Sequence, residues 1–384
     1  MTISPVVFAM NRPLLRQRGL SLIELMMAIA IGMFLLLGLS SLLVANSQSS
    51  QELNKTGNQI ENGRFAIQLL TDDIHLAGFL GAYAPSVVGT TWSTPDPCAV
   101  AIGNLGINNG AGPMVPASTV LTIPVGIYGY AGGSALPASC ATAVTNQLAG
   151  TGVIVVRRVS TTTTTPAAAT ATPAGDFYLQ ASTCADGSID TVPFVLASDS
   201  AAANFPLRQI DCLSTNLAPL RKYMVRIYYV SSCSDCGNDT IPTLKFVELK
   251  GGALAAASPL VEGIENMQLD YGIDMDGDGS VDCYTSNPAS PPGKEVDPAT
   301  FPATACPQTT PVYVWTNATT NWSNVMAVRV NLLARNLDKT TRWVDNKTYD
   351  MGLTGSTTAT NDAFKRHAYS TVARLYNISG QREK

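Results

Sequence analysis

Arg16-Gln17-Arg18-Gly19-Leu20-Ser21-Leu22-Ile23-Glu24-Leu25-Met26-Met27, continued by an apolar run through Ile29, Ile31, Phe34, Leu35, Leu37, Leu42, Leu43 and Val44, is the stretch around which the chain is organised. About 24 residues from Leu22 to Ala45, each rising roughly 1.5 Å, make a helix of about 36 Å, long enough to cross the hydrocarbon core of a bilayer. Glu24 contradicts a plain membrane use, because a carboxylate at the centre of such a helix costs about 2.5 to 3.5 kcal/mol. An acid held there needs a partner.

A basic leader, a glycine and an apolar stretch with Glu24 five residues beyond Gly19 together resemble the class III signal of type IV prepilins. The resemblance implies cleavage after Gly19 by a prepilin peptidase and methylation of the new N-terminal residue, Leu20. It also gives Glu24 the role of neutralising the N-terminal amine of a neighbouring subunit during assembly. A carboxylate and an ammonium brought together in an apolar bundle relieve each other's burial, whereas either alone stays expensive. Leu20 stands where most of that family carry Phe, a conservative apolar change. A secretory signal peptide is a poorer reading, since the apolar run exceeds the usual h-region of about 7 to 15 residues and no A-x-A site follows. An ordinary anchor explains neither Gly19 nor Glu24.

The chain has 384 residues, enough for one large or two modest domains with a sizeable core. Charged residues are only 14% of it, with 31 Gly and 23 Pro, which favours loop-rich β structure over long solvated helices. The formal net charge is −4; loss of Arg12, Arg16 and Arg18 with the leader gives −4 − 3 = −7. That balance argues against general nucleic-acid binding, which needs a basic face. The three arginines precede the apolar helix, and the positive-inside rule keeps them cytoplasmic and the rest of the chain outside the inner membrane. All 8 cysteines fall in that exported part. The sequence leaves connectivity open; pairing of neighbours gives Cys98 with Cys140, Cys184 with Cys212, Cys233 with Cys236, and Cys283 with Cys306. Longer loops closed this way are worth roughly 3 to 4 kcal/mol each in the chain-entropy model.

Beyond the membrane segment, Leu53, Ile60, Ile67, Leu70, Ile74 and Ala77 form an amphipathic stripe, with Gln51, Glu52, Asn54, Lys55, Asn58, Gln59 and Glu61 on the other face. The predicted helix ends near Gly78 to Gly81. Gly57 and Gly63 weaken it locally, as flexible points or as packing sites. Asp72 and Asp73 read as a solvated face. Residues 82 to 220 read as short strands in long loops, with Thr119 to Tyr130 and Gly152 to Val159 as strands and Thr161 to Gly175 as a loop. From Leu220 the period-two alternation is cleaner: Met224 to Val230, Leu244 to Leu249, Ile264 to Ile273, Val325 to Leu333 and Ala368 to Tyr376. Gly63 to Phe79, the phrase Val261-Glu262-Gly263-Ile264-Glu265-Asn266-Met267-Gln268 with Tyr271 to Asp274, and the closing Phe364 to Asn377 resemble the PilW family of minor pilins.

The sharpest metal candidate is Asp274-Met275-Asp276-Gly277-Asp278-Gly279-Ser280-Val281-Asp282. Oxygen ligands at alternate positions let a short loop wrap a hard cation, and Gly279 permits the turn. Calcium would take Asp274, Asp276 and Asp278, the backbone carbonyl of Ser280, and Asp282 directly or through water. The twelfth position is Thr285, not the bidentate Glu of a full EF-hand, and an acidic turn that binds nothing is the competing reading. Cys233-Ser234-Asp235-Cys236 has redox spacing, but its place between two antiparallel strands favours a structural bridge over redox or zinc chemistry. The two histidines, His75 and His367, form no metalloprotease pair, and no nucleophile elbow or P-loop occurs. The chain is not read as an enzyme.

The fold expected is α+β, the pilin fold: a long N-terminal helix, its first half membrane-spanning, packed on an antiparallel β-sheet head with long loops and disulfides. Residues 1–19 are leader, 20–45 the membrane and filament-core half of the helix, 46–81 its amphipathic half and 82–384 the head. The resemblance implies a minor pilin that primes type IV pilus assembly and sits at or near the tip, supporting twitching motility and adhesion. Implied partners are the other minor pilins and the major pilin, the prepilin peptidase, the inner-membrane assembly platform and a large tip adhesin. The implied location is the inner membrane with the head in the periplasm, then the pilus fibre. A minor pseudopilin of a type II secretion system and a tip adhesin using the middle region are the alternatives.

Overall fold

The computed structural model describes residues 21–85, 90–109, 120–166, 175–198, 202–289, 306, 309, 311–358 and 361–383. The leader with Gly19 and Leu20, Thr119 and residues 167–174 of the Thr/Ala/Pro tract lie outside them. The first helix, α1, runs Leu22–His75, and its residues belong to two compact units, one ending at Asn54 and one beginning at Lys55. Within the first unit it is apolar over a length that can cross a membrane, and its large side chains are exposed, Phe34 and Leu22 among them.

In the second unit the buried face of α1 consists of Gln59, Gly63, Ala66, Leu70, Asp73 and Ile74, spaced by fours and threes. Leu70 and Ile74 are fully buried. Each contributes about 1.5 to 3 kcal/mol relative to an exposed side chain. The expected stripe needs correcting at its lower end: Leu53 is 70% and Ile60 42% exposed, whereas Gln59, expected on the polar face, is 5% exposed. Gln59 Nε2 donates to the carbonyls of Ala334 and Lys365 at 2.9 and 3.0 Å. A buried amide is tolerated where backbone acceptors meet it. The helix stops at His75, just short of the expected glycines, and Gly78, at φ +74°, turns the chain so that its N–H donates to Arg157 O at 2.9 Å.

Among the described residues the strands form four sheets. Three short strands, β1 (Thr91–Ser93), β2 (Asn108–Asn109) and β3 (Leu121–Pro124), pair in the order β1-β3-β2. The eight-stranded sheet comprises β4 (Ile127–Tyr130), β5 (Val153–Val159), β6 (Phe177–Ala181), β7 (Phe194–Ser198), β8 (Leu220–Ser231), β9 (Thr243–Lys250), β10 (Ala253–Leu254) and β11 (Ser258–Glu262). Its main path is β10-β9-β8-β5-β4, all antiparallel. The four-stranded sheet has the order β13-β12-β14-β17, from β12 (Ile264–Ile273), β13 (Cys283–Thr285), β14 (Val325–Arg335) and β17 (Arg366–Arg374). A ribbon of β15 (Thr348–Asp350) and β16 (Ser356–Thr358) completes the set.

One hydrophobic core joins α1 to both larger sheets, bringing Ala66, Leu70 and Ile74 together with Ile154, Val156 and Val230 and with Met267, Val328 and Leu332. The opposite face of the eight-stranded sheet carries a second core of Val153, Val155, Val225 and Ile227, closed over by Leu105, Ile107, Ile123 and the Cys98–Cys140 bridge. Among the described residues of 82–220, β4 to β7 enter the main sheet and β1 to β3 form the small one, short strands separated by long loops as the sequence predicts. The four disulfides are Cys98–Cys140, Cys184–Cys212, Cys233–Cys236 and Cys283–Cys306, with Cα separations of 5.0 to 5.4 Å. Those spacings suit a bridge.

The two helix glycines separate cleanly. A Cβ on Gly63 meets the Tyr369 ring at 2.2 Å, whereas a Cβ on Gly57 has no atom within 4 Å. Gly63 lets β17 lie against the helix; Gly57 has no such demand. In thermal melts Gly63→Ala is expected to lose about 1 to 3 kcal/mol through overpacking, and Gly57→Ala to gain up to about 1 kcal/mol of helix propensity.

Candidate functional site

Glu24 is the third residue of α1. Ser21 N–H donates to Glu24 Oε2 at 3.0 Å, and Ile23 N–H donates to Ser21 Oγ at 3.3 Å. Serine and glutamate thus satisfy two of the free N–H groups at a helix start in the manner of a capping box. Ser21-Leu22-Ile23-Glu24 carries that signature openly, and it was available in the sequence as a helix start as well as an assembly motif. The carboxylate is exposed, with one oxygen engaged.

Near the other end of α1, Asp73 and Asp72 do not share a solvated face. Asp72 is exposed, but Asp73 is buried: its Oδ1 accepts from Arg158 Nε at 2.6 Å and lies 3.5 Å from Arg226 Nη1, while Oδ2 accepts from Tyr228 Oη at 2.7 Å. Arg226 Nε also donates to Glu248 at 3.3 Å. Burial, reinforced by the Asp73 charge, raises the Tyr228 phenol above its ordinary value, so it remains a donor. The sequence could not reveal this because the partners lie about 85 and 155 residues away.

The acidic loop between β12 and β13 draws the carboxylates of Asp274, Asp276 and Asp282 within 4.8 Å of one another. Asp278 and Ser280 fall outside that trio. Asp274 is fully buried and accepts from the N–H groups of Gly277 and Gly279 at 2.6 and 3.1 Å and from Arg382 Nη1 at 3.1 Å. Asp276 and Asp278 accept from the N–H groups of Asp278 and Ser280, and Asp282 accepts from that of Met275 at 2.7 Å. Burial first, then its acidic neighbours, raise the Asp282 pKa. A hard cation could use the three carboxylates, in competition with Arg382 for Asp274.

Cys233–Cys236 closes the turn between β8 and β9, where Asp239 accepts from the N–H groups of Ser234 and Asp235 at 2.8 and 2.7 Å. No helix follows it, so the arrangement that activates a thiolate in redox folds is not formed there. The His75 ring lies tilted against Tyr376, and His367 meets Tyr369 edge to face, each as an aromatic contact.

Residues 227–377 match the family model described as type IV pilus-assembly protein W, and residues 14–40 match the prokaryotic N-terminal methylation motif. No curated protein matches the chain. Among solved structures, a type IV-like pilin from Thermus thermophilus is similar at 15% identity and a TM-score of 0.23, over 41% of this chain and 70% of that one.

Removing one partner of a buried ion pair leaves the other charge unmatched and costs about 3 to 5 kcal/mol. Asp73→Asn is therefore expected to lower the melting temperature sharply, whereas Asp72→Asn stays within about 0.5 kcal/mol of wild type. Parallel melts of the two single variants provide the check.

Proposed function

The chain belongs to the PilW family of type IV pilins, and on that premise we propose that it is a minor pilin that primes pilus assembly and remains at or near the tip. The observation that carries this reading is Glu24 at the third position of α1, at the head of an apolar stretch long enough to cross a membrane. Prepilin peptidase would cut after Gly19 and methylate the Leu20 amine. Glu24 would then exchange its bond with Ser21 N–H for the amine of a neighbouring subunit, a charge pair that lowers the cost of placing either group in the apolar filament core. The head would stand in the periplasm until the subunit enters the fibre, where it meets the other minor pilins, the major pilin and a large tip adhesin. Its work is structural, and it serves twitching motility and adhesion.

Calcium at Asp274, Asp276 and Asp282 belongs to the same reading, as an ion that braces the β12–β13 loop against the C-terminal residues. Competition from Arg382 and the missing bidentate Glu argue for an affinity of the order of 10⁻⁴ to 10⁻³ M, as in extracellular modules.

Deletion of the gene in its native bacterium is expected to abolish surface pili in electron micrographs while leaving the secreted proteome unchanged; wild type restores them and Glu24→Ala does not. Normal pili with failed secretion would move the protein to the pseudopilins, and normal pili with lost attachment to the adhesins. For the loop, calcium at about 100 times its Kd is expected to add about 2.7 kcal/mol of stability, and Asp276→Ala to remove that gain. A wild-type melting temperature unmoved by calcium would rule the ion out.

A further inference from the structure

The turn between β8 and β9 carries Cys233 and Cys236, and the two sulfurs have different surroundings. Cys233 is buried, whereas Cys236 is exposed. Lys245, the third residue of β9, stands opposite Tyr229 of β8 and so projects on the same face of the sheet, that of the second core. It is only 6% exposed. Lysine is almost never buried so deeply without an anionic partner, yet among the described residues no carboxylate forms an ion pair with it. Its Nζ donates instead to Cys236 Sγ at 3.5 Å. Asp239 feels the Lys245 charge, but that carboxylate is already held by the N–H groups of Ser234, Asp235 and Ile241. The other charged groups around the turn have contacts of their own. Asp235 accepts from Asn238 at 2.6 Å, Glu262 accepts from Ser234 Oγ at 2.8 Å, and Arg335 donates to Thr240 O at 3.4 Å.

A disulfide sulfur is a weak acceptor and gives a buried ammonium little in return. A thiolate at the same position would be a full counter-charge. A neighbouring lysine acidifies a thiol from about 8.5 into the range of about 3.5 to 7.5. Whatever stabilises the thiolate stabilises the reduced pair over the bridge. The other bridges lack this arrangement. Cys98 and Cys140 are buried beside Asp96, whose charge opposes a thiolate, and Cys283 is fully buried. Cys184 and Cys212 are half-buried, and among the described residues no charged group donates to their sulfurs.

We propose that Cys233–Cys236 is a thiol–disulfide exchange site for a dithiol, with Cys236 as the attacked sulfur and Lys245 as the group that holds its thiolate. A thiolate of the dithiol attacks the exposed Cys236 Sγ. The S–S bond breaks, its electron pair leaves on Cys233 Sγ, and that sulfur takes a proton from solvent. The Ser231 and Ser232 hydroxyls lie 3.7 and 3.8 Å from it. The second thiol of the dithiol then loses its proton to solvent and attacks the mixed disulfide at the dithiol's own sulfur. Cys236 leaves as a thiolate paired with Lys245, and the dithiol has become a disulfide. Two electrons have passed to the protein. The turn is freed, while the ladder from Arg226–Glu248 to Ser231–Thr243 keeps β8 and β9 paired.

The test equilibrates the full chain in detergent with mixtures of reduced and oxidised dithiothreitol, followed by alkylation and mass-spectrometric mapping of each cysteine. Cys233–Cys236 is expected to open at a reduced-to-oxidised ratio at least about tenfold below that needed by the other three bridges. In the protein reduced at that bridge alone, Cys236 is expected to alkylate with a midpoint below about pH 7.5. Lys245→Met should return the midpoint to about 8.5 and remove the tenfold advantage, and Lys245→Arg should keep both. A lysine that merely packs would change the melting temperature and leave the alkylation midpoint where it was. Opening of all four bridges together, or a wild-type midpoint near 8.5, would overturn the proposal, as would a midpoint that Lys245→Met does not move. Should Lys245→Met fail to fold, the wild-type order of opening and the wild-type midpoint decide it.

Discussion

The carboxylate of Asp73, received by Arg158, Arg226 and Tyr228 from two adjacent strands, fixes where the last turns of α1 lie on the eight-stranded sheet. Apolar contact alone would allow the helix to slide or roll at little cost, because burial is non-directional. A buried charge met at 2.6 Å does not allow it. Immediately beyond, the Gly78 N–H reaches Arg157 O, so the chain that leaves the helix is tied to the same strand that holds Asp73. Gly126 has to be a glycine for this to happen, since a Cβ there would meet Gly78 N at 2.5 Å.

Lower on α1 the fastening comes from the four-stranded sheet and its flank, and from the end of β11 in the eight-stranded one. Gln59 reaches backbone carbonyls at Ala334 and Lys365, Asn62 reaches Glu262 O at 3.2 Å, and Gly63 accommodates Tyr369. These contacts come from residues that lie within the PilW-matched region, 227–377. The upper fastening draws Arg158 from the middle of the chain and Arg226 from just before that region, with Tyr228 at its start. The helix therefore joins two parts of the head that the sequence keeps apart, and β8 and β9 pass the sheet from one to the other.

What could be read from the sequence follows from the range of the interactions. The apolar run, Ser21 and Glu24 act within a few residues, and the helix start was legible from them. Ile264–Ile273 forms β12 over the span that its alternation marks, and β14 and β17 differ from their expected spans by about two residues at their ends. Gln59 and Asp73 were misassigned to solvent because their partners are brought from distant strands, which no helical periodicity can register. The middle region was less legible still. Its strand β5 is buried on both faces and so loses the alternation that marks a half-exposed strand. Two arginines inside a seven-residue apolar run were the available signal that this strand carries more than packing.

The bridges join the cysteines strictly in the order in which they occur along the chain, first with second, third with fourth, and so on. A head that met an oxidising space in chain order would therefore never wait with more than one unpaired thiol. Each bridge can close as its second cysteine emerges, before the next pair arrives. None of the 105 possible pairings of eight cysteines exposes fewer thiols at once, so this connectivity is also the one that offers least opportunity for scrambling when oxidation follows chain order.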